Sequence, residues 1–168
     1  MYVNIYGVSK NEYETKIIKE LYSGENGQIF QMMQFFYFCN VMYDIKELKE
    51  CFEQMFEDGK TNSQILAKLL IENYEEPSYI SSKNIPISGI YFEYYKGIKN
   101  IVNYALEIKE KSIISCKIAL NKINQKNIKK QLENILICEQ KHKQIIINLI
   151  NKYVDLWHIF YLIFCDFV

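Results

Sequence analysis

The chain has 168 residues, 49% of them hydrophobic, which suits one compact domain with a core of its own. Its 20 acidic residues balance its 20 basic residues, and every basic residue is Lys, so the chain lacks the positive field and the arginines typical of specific nucleic-acid binding. No run has the length of a transmembrane helix, and the first residues show no signal-peptide pattern. We expect a cytoplasmic protein in which residues 1–168 form a single domain.

The cysteines exclude two common kinds of metal site. They are scattered along the chain as Cys39, Cys51, Cys116, Cys138 and Cys165. None forms a C-x-x-C pair, so neither a zinc ribbon nor a rubredoxin-like iron site is present. An odd, scattered set is typical of buried thiols in a reducing compartment.

The first helix is predicted to start at Asn11, a suitable N-cap, and to continue to about Met42. Glu25 falls in the middle of its apolar stripe, between Gly24 and Gly27, which weaken a helix. Glu25 could instead cap a helix that begins near residue 23.

The second helix is predicted over residues 45–73. Its apolar stripe consists of Leu48, Phe52, Met55, Gly59, Asn62, Leu66 and Leu69. Gly59 and Asn62 therefore face the core three residues apart, whereas Glu57 and Asp58 point off the stripe. The Asp58–Gly59 dipeptide could also mark a turn that divides the segment into two helices.

Helical periodicity is lost between residues 75 and 97, where two prolines predict a long connection whose aromatic residues pack along the domain. The third helix is predicted over residues 96–123. One of its faces carries Glu110 among apolar neighbours such as Val102 and Ile113. Glu107 is the competing carboxylate, but its neighbours are more polar, so we expect Glu110 to point inward.

The last helix carries the strongest pattern in the chain. Its stripe runs Ile128, Leu132, Ile135, Glu139, His142, Ile146, Leu149 and Tyr153. Glu139 and His142 lie one turn apart on that stripe. A buried carboxylate is costly unless something neutralises it, and either a metal ion or a local hydrogen-bonded pair could do so.

In this order, the elements resemble the ferritin-like superfamily, and its rubrerythrin-type branch in particular. The local sequences that carry the resemblance are Glu20-Leu21-Tyr22-Ser23-Gly24-Glu25-Asn26-Gly27, Pro77-Ser78-Tyr79 and the last Glu-x-x-His. The resemblance implies an all-α, four-helix bundle over about residues 11–153, with a long crossover between helices two and three. In such bundles one Glu from each of two helices and a Glu-x-x-His from each of the other two bind two metals.

The chain departs from that pattern in its first Glu-x-x-His, where it has Gly59 and Asn62. The resemblance then leaves Glu25, Glu110, Glu139 and His142 as ligands for one iron or manganese ion. Such a site could act on peroxide or oxygen, with electrons from a separate donor.

Two alternatives remain open to the sequence. The domain could be metal-free and non-catalytic, serving as an interaction or structural module. A two-metal site could instead be completed by Glu57, Asp58 or another chain.

The segment 154–168 is strongly apolar but too short to span a bilayer as a helix. We expect it to pack on the bundle or to bury itself in a homo-oligomer, most simply a dimer. An interfacial membrane anchor is the alternative, although the segment lacks the Lys-rich face of such anchors. His158 lies among aromatic residues here and is not expected to bind metal.

Overall fold

The computed structural model describes residues 11–155, and within that range every regular element is a helix. The five α-helices are α1 (Glu12–Ser23), α2 (Gln28–Val41), α3 (Lys46–Glu72), α4 (Ile98–Lys122) and α5 (Lys126–Ile150). A 3-10 turn spans Gly89–Tyr91, and a π-helical turn, Asn151–Asp155, extends α5. The expected four-helix bundle is confirmed, with α1 and α2 lying end to end against α3, and with α4 paired to α5.

The buried stripes of α3 and α5 are those predicted from the sequence. All seven predicted α3 positions are buried, and the Asp58–Gly59 dipeptide lies inside a continuous helix. In α5 every predicted position from Ile128 to Leu149 is buried. Tyr153 lies in the π-helical turn and is only half-buried, and its hydroxyl donates a hydrogen bond of 2.5 Å to Glu47.

The prediction of one continuous helix from Asn11 to Met42 was wrong. Asn11 does cap α1, accepting a hydrogen bond from the Glu14 amide at 3.2 Å, but the helix ends at Ser23. A Cβ on Gly24 would lie 2.4 Å from the Glu20 carbonyl oxygen, so the chain can make this turn because residue 24 is a glycine. The break shifts the inward face of α2, so that Phe35 and Phe38 are buried while Met33 and Phe36 are exposed.

Helix α4 was correctly located, but its inward face differs from the predicted one by about one position. The buried residues are Ile101, Val102, Ala105, Ile108, Lys109, Ser112, Ile113, Cys116 and Ala119. Glu110 is exposed, and the neighbouring Lys109 is the charged residue that points inward. The sequence placed Glu110 inward because of apolar neighbours such as Val102 and Ile113, and these two are buried, but in a stripe whose inward charged residue is Lys109.

The long connection between α3 and α4 packs along the bundle through its aromatic side chains, as predicted. Phe92 stacks on Phe30 of α2 with ring centroids 5.2 Å apart. Tyr95 meets Tyr104 of α4 edge-on at 5.1 Å. Gln34 of α2 fixes the backbone between them, because its side chain both donates to the carbonyl oxygen of Glu93 and accepts from that residue's amide.

The core consists of two apolar clusters, one towards each end of the bundle. The first contains Phe35, Phe52 and Ile108, and the second contains Leu66 and Ile135. Polar side chains lie at the middle of the helices, between these clusters. None of the helices between residues 11 and 155 carries an apolar stretch long enough to cross a lipid bilayer.

Candidate functional site

The middle of the bundle is a central polar layer to which each of α2, α3, α4 and α5 contributes two buried residues. In every helix the two positions are three apart, so they share one face. The layer consists of Gln28 and Gln31, Gly59 and Asn62, Lys109 and Ser112, and Glu139 and His142.

Glu139 is fully buried, and its charge is compensated by Lys109 from α4. The Lys109 Nζ lies 2.9 Å from Oε2, and the two side chains are 1% and 0% exposed. Gln28 donates a hydrogen bond of 3.0 Å to the other oxygen, Oε1. The Lys109 ammonium is not oriented to donate a hydrogen bond to Oε2, so the attraction between these two groups is electrostatic. Two ions in so dry a site are stable only as a pair.

The Lys109 ammonium is held in place from two further directions. Its Nζ donates a 3.1 Å hydrogen bond to the side-chain oxygen of Gln31, and it lies 4.5 Å from the centre of the Phe35 ring. The amide nitrogen of Gln31 in turn donates to the Ser112 hydroxyl and to the Asn26 carbonyl, each at 3.0 Å. Lys109 is therefore a fixed part of the layer rather than a surface residue folded inward.

His142 is compensated in a different way, by a carboxylate at the edge of the bundle. Its Nε2 lies 2.8 Å from Oδ2 of Asp58, whose side chain is 30% exposed. Burial lowers the pKa of His142, and the Lys109 charge lowers it further, so the imidazole is neutral near pH 7. The short contact then indicates a proton on Nε2 that is donated to Asp58. The other nitrogen, Nδ1, has no hydrogen-bond partner among the described residues.

Cys138 lies one turn before His142 on α5, with its sulfur 3.8 Å from His142 Nε2. Asp58, Cys138 and His142 thus bring three potential ligand atoms within 4.8 Å of one another. From the sequence, Cys138 is expected to be a buried thiol, and Asp58 is expected off the apolar stripe, where it was one candidate for completing a two-metal site. The signal for both was their position: each directly precedes an inward residue of the layer, Gly59 or Glu139.

The four predicted metal ligands are not brought together. Glu139 and His142 face the layer, but Glu25 lies exposed in the break between α1 and α2. Glu110 is also exposed, with its carboxylate 2.7 Å from Lys143 Nζ on the outside of the bundle. Both placements correct the sequence expectation, since the inward positions of these helices hold Gln28, Gln31 and Lys109 instead.

Gly59 and Asn62 do face the layer opposite the α5 pair, as predicted. A Cβ on Gly59 would meet the Met32 Cα and Cβ at 3.5 Å, which is ordinary contact. Helix α2 therefore packs directly over this glycine. The Asn62 amide is buried, and its Nδ2 has no hydrogen-bond partner among the residues described.

Solved structures with the same arrangement of helices were found at low sequence identity. A manganese catalase, KatB from Anabaena, is similar to 90% of this chain over 77% of its own length, with a TM-score of 0.78 and 12% identity. A bacterioferritin from Desulfovibrio desulfuricans, described as having a diiron site, matches over 89% of both chains, with a TM-score of 0.67 and 16% identity. The chain has the ferritin-like fold. No protein-family model matches the sequence, and no curated protein matches it.

The donor atoms of this ferritin-like bundle do not fit a two-metal carboxylate centre. Such a centre needs several acidic ligands around two cations. In the central polar layer the one carboxylate is Glu139, and it already faces the positive charge of Lys109. Two dications together with Lys109 would place three cations, carrying five positive charges, around one carboxylate in a dry interior.

Proposed function

We propose that this chain is a non-catalytic ferritin-like domain, in which a buried ion pair takes the place of a metal centre, and that it serves as a protein-interaction module. One observation carries the proposal: the Lys109 ammonium lies 2.9 Å from the Glu139 carboxylate, with both side chains fully buried. The positive charge that Glu139 requires is supplied by the chain itself.

A metal ion and Lys109 compete for the same carboxylate. Like charges a few ångströms apart repel strongly where the effective dielectric constant is low. Lys109 is also tied to Gln31 and packed over Phe35, so expelling it would break those contacts. An iron or manganese ion held by Glu25, Glu110, Glu139 and His142 would in addition require two exposed carboxylates to turn inward.

The interaction surface that we propose is the outer face of α2. Met33 and Phe36 lie three residues apart on that face and Val41 ends the helix, with 45%, 49% and 37% of their surface exposed. Neighbouring exposed apolar residues of this kind are typical of binding surfaces. We propose a second copy of this chain as the partner, since the formal net charge of zero offers no overall repulsion to self-association.

A metal-dependent oxidoreductase is the second candidate function. It is favoured by the fold neighbours, which include a protein described as a manganese catalase and one described with a diiron site. In this chain it would take the form of a single iron or manganese ion, with peroxide or oxygen chemistry and a separate electron donor.

Metal analysis of the purified full chain separates the two candidates. The protein is dialysed against Fe(II) without oxygen, or against Mn(II), and the bound metal is measured in the wild type and in Glu139→Gln. We expect no Glu139-dependent uptake, because Lys109 already neutralises that carboxylate. One equivalent of iron or manganese that is lost in Glu139→Gln would overturn the proposal.

Sedimentation of the same samples tests the proposed partner. We expect the wild type to self-associate, and Phe36→Glu to shift it towards the monomer because a charge then lies in the apolar face. Ile114→Glu on α4, where the wild-type residue is 57% exposed, is the matched control and should leave association unchanged. A wild type that is monomeric, or equal loss of association in both variants, would exclude the α2 face.

A further inference from the structure

Three side chains that bind metals well meet at the edge of the central polar layer. Cys138 and His142 lie one turn apart on α5, and Asp58 reaches them from α3. Oδ2 of Asp58 is 2.8 Å from His142 Nε2, the Cys138 sulfur is 3.8 Å from the same nitrogen, and all three atoms lie within 4.8 Å of one another. Among residues 11–155, no other group of three or more such side chains comes as close together.

We propose that Asp58, Cys138 and His142 form a binding site for one zinc ion, distinct from the Lys109–Glu139 pair. This inference goes beyond the proposed function, because it concerns different ligand atoms and leaves the bundle-centre ion pair intact.

The spacing of the three donor atoms suits a four-coordinate ion. Zinc bonds of about 2.0–2.3 Å in a tetrahedral arrangement place neighbouring donors roughly 3.3–3.7 Å apart. The sulfur-to-nitrogen distance of 3.8 Å is already close to that spacing. The Asp58 oxygen, at 2.8 Å, needs to move outward by a fraction of an ångström, and its 30% exposure leaves it free to do so. Solvent on the same side can supply the fourth ligand.

The charges at the site would balance. Zinc binding displaces the proton of the Cys138 thiol, which passes to solvent, and the resulting thiolate and the Asp58 carboxylate together offset the two positive charges of the ion. Neutral His142 changes tautomer, moving its proton from Nε2 to Nδ1. The half-buried site thus passes from one negative charge, that of Asp58, to a net charge of zero when zinc is bound.

Asn62 lies beside the site, and its buried Nδ2 has no hydrogen-bond partner among the described residues. Burial and the charges of Asp58 and Glu139 raise the pKa of the Cys138 thiol, and the Asn62 side chain acts against that rise. A zinc-bound thiolate would give this amide a charged acceptor, as outer groups around metal sites commonly have.

The chemistry of the donors favours zinc over manganese, the metal named for the catalase with a similar fold. Thiolate and imidazole favour zinc, whereas manganese prefers carboxylate and water ligands. The affinity should be lower than that of closed structural zinc sites, because an Nδ1 proton on His142 would have no acceptor among the described residues.

Cobalt and zinc titrations of the full chain test the proposal. We expect one equivalent of Co(II) to give a thiolate-to-cobalt charge-transfer band, and Zn(II) to abolish it by displacement. Cys138→Ser should remove the band and weaken zinc binding at least about 100-fold, and Asp58→Asn should weaken it at least about tenfold. The matched controls are Cys51→Ser, another partly buried thiol, and Glu57→Gln, the exposed neighbouring carboxylate, and both should bind like the wild type.

Circular dichroism of each variant establishes that it is folded before its affinity is compared. If Cys138→Ser is not folded, Cys138→Ala replaces it. Two results would overturn the proposal. One is a wild type that binds no zinc, or gives no charge-transfer band with cobalt. The other is zinc binding that survives in Cys138→Ser but is lost in Glu139→Gln, which would place the ion at the bundle centre.

Discussion

Glu139 and His142 are one turn apart on the same face of α5, yet their partners differ in charge and in exposure to solvent. Glu139 is matched by a cation from inside the bundle, and both partners are sealed from water. His142 is equally buried, but its partner Asp58 lies at the edge, 2.8 Å away and 30% exposed. In the first pair the cation is a side chain of the protein, so the charge of Glu139 is balanced without a bound ion. The second keeps a side open to solvent, where a proton or a metal can still enter.

The difference has an energetic consequence. Charges buried as a pair cost little more than an apolar pair of the same size, but either charge left alone is strongly destabilising. A neutral imidazole donating to a half-exposed carboxylate carries no such penalty, because water can replace the lost partner. We therefore expect the bundle centre to be sensitive to the loss of one side chain, and the edge to be tolerant of it.

The largest effect is expected from Lys109→Met, which leaves Glu139 buried without its cation. The variant should lose about 3–5 kcal/mol of unfolding free energy at pH 7, measured by urea denaturation.

The double variant Lys109→Met with Glu139→Gln is the control for lost packing. It removes both charges while keeping the length of the second side chain, and it should recover most of the stability. If Lys109→Met alone costs less than about 1 kcal/mol, the pair contributes no more than an exposed salt bridge, and the comparison between centre and edge fails.

The next effect is a dependence of folding stability on pH, which we expect His142 to cause. Burial, with Lys109 second, lowers its folded pKa below the ordinary value of 6.5. Between 6.5 and the lower folded pKa, His142 is protonated in the unfolded chain but neutral in the folded one. The free energy of unfolding should therefore be highest above pH 6.5 and decline as the pH falls towards the folded pKa.

Urea denaturation between pH 8 and pH 5 measures this slope, and His142→Gln should make it shallower. Gln140→Ala, at an exposed position of α5 without a titratable group, is the control and should keep the wild-type slope. Equal slopes in the wild type and in His142→Gln would mean that the imidazole gains or loses its proton equally well in both states.

The sequence predicted the helices whose inward faces are continuous and apolar. In α3 and α5 the seven predicted positions from Leu48 to Leu69 and the seven from Ile128 to Leu149 are all buried, and they followed from periodicity alone. It also predicted that Gly59, Asn62, Glu139 and His142 would share the middle of the bundle. These residues interrupt otherwise regular stripes, and a periodic pattern locates such interruptions well.

Periodicity failed where both faces of a helix carry apolar residues. Helix α4 has Ile113 facing inward and Ile114 facing outward, so a shift of one residue leaves an equally plausible stripe. That shift decides between Glu110 and Lys109, and the stripe chosen from the sequence placed Glu110 inward. Only the tertiary partner, a buried Glu139 that needs a cation, makes Lys109 the better choice.

Lys109 also decides what kind of site the central polar layer is. The resemblance to metal-binding bundles located the polar layer, but it could not show that a side chain supplies the charge that a metal supplies elsewhere. The pairs Gln28 and Gln31 on α2 and Lys109 and Ser112 on α4 repeat the three-residue spacing of Glu139 and His142. A search for that shared spacing, rather than for acidic residues, would have identified all four helix contributions.

The smallest effect is expected at Glu110, and it sharpens the contrast with Glu139. The two carboxylates each lie within 3 Å of a lysine, at 2.7 Å from Lys143 and 2.9 Å from Lys109. The Glu110–Lys143 pair is exposed, with side-chain exposures of 48% and 35%, so water screens it and competes for both partners. Glu110→Gln should therefore change the unfolding free energy by less than about 1 kcal/mol, and added salt should abolish even that difference. Glu139→Gln, measured beside it, leaves Lys109 buried without a counter-ion and should be several times more destabilising. If the two substitutions cost the same, burial has no influence on these ion pairs, and Lys109 cannot be the residue that replaced a metal.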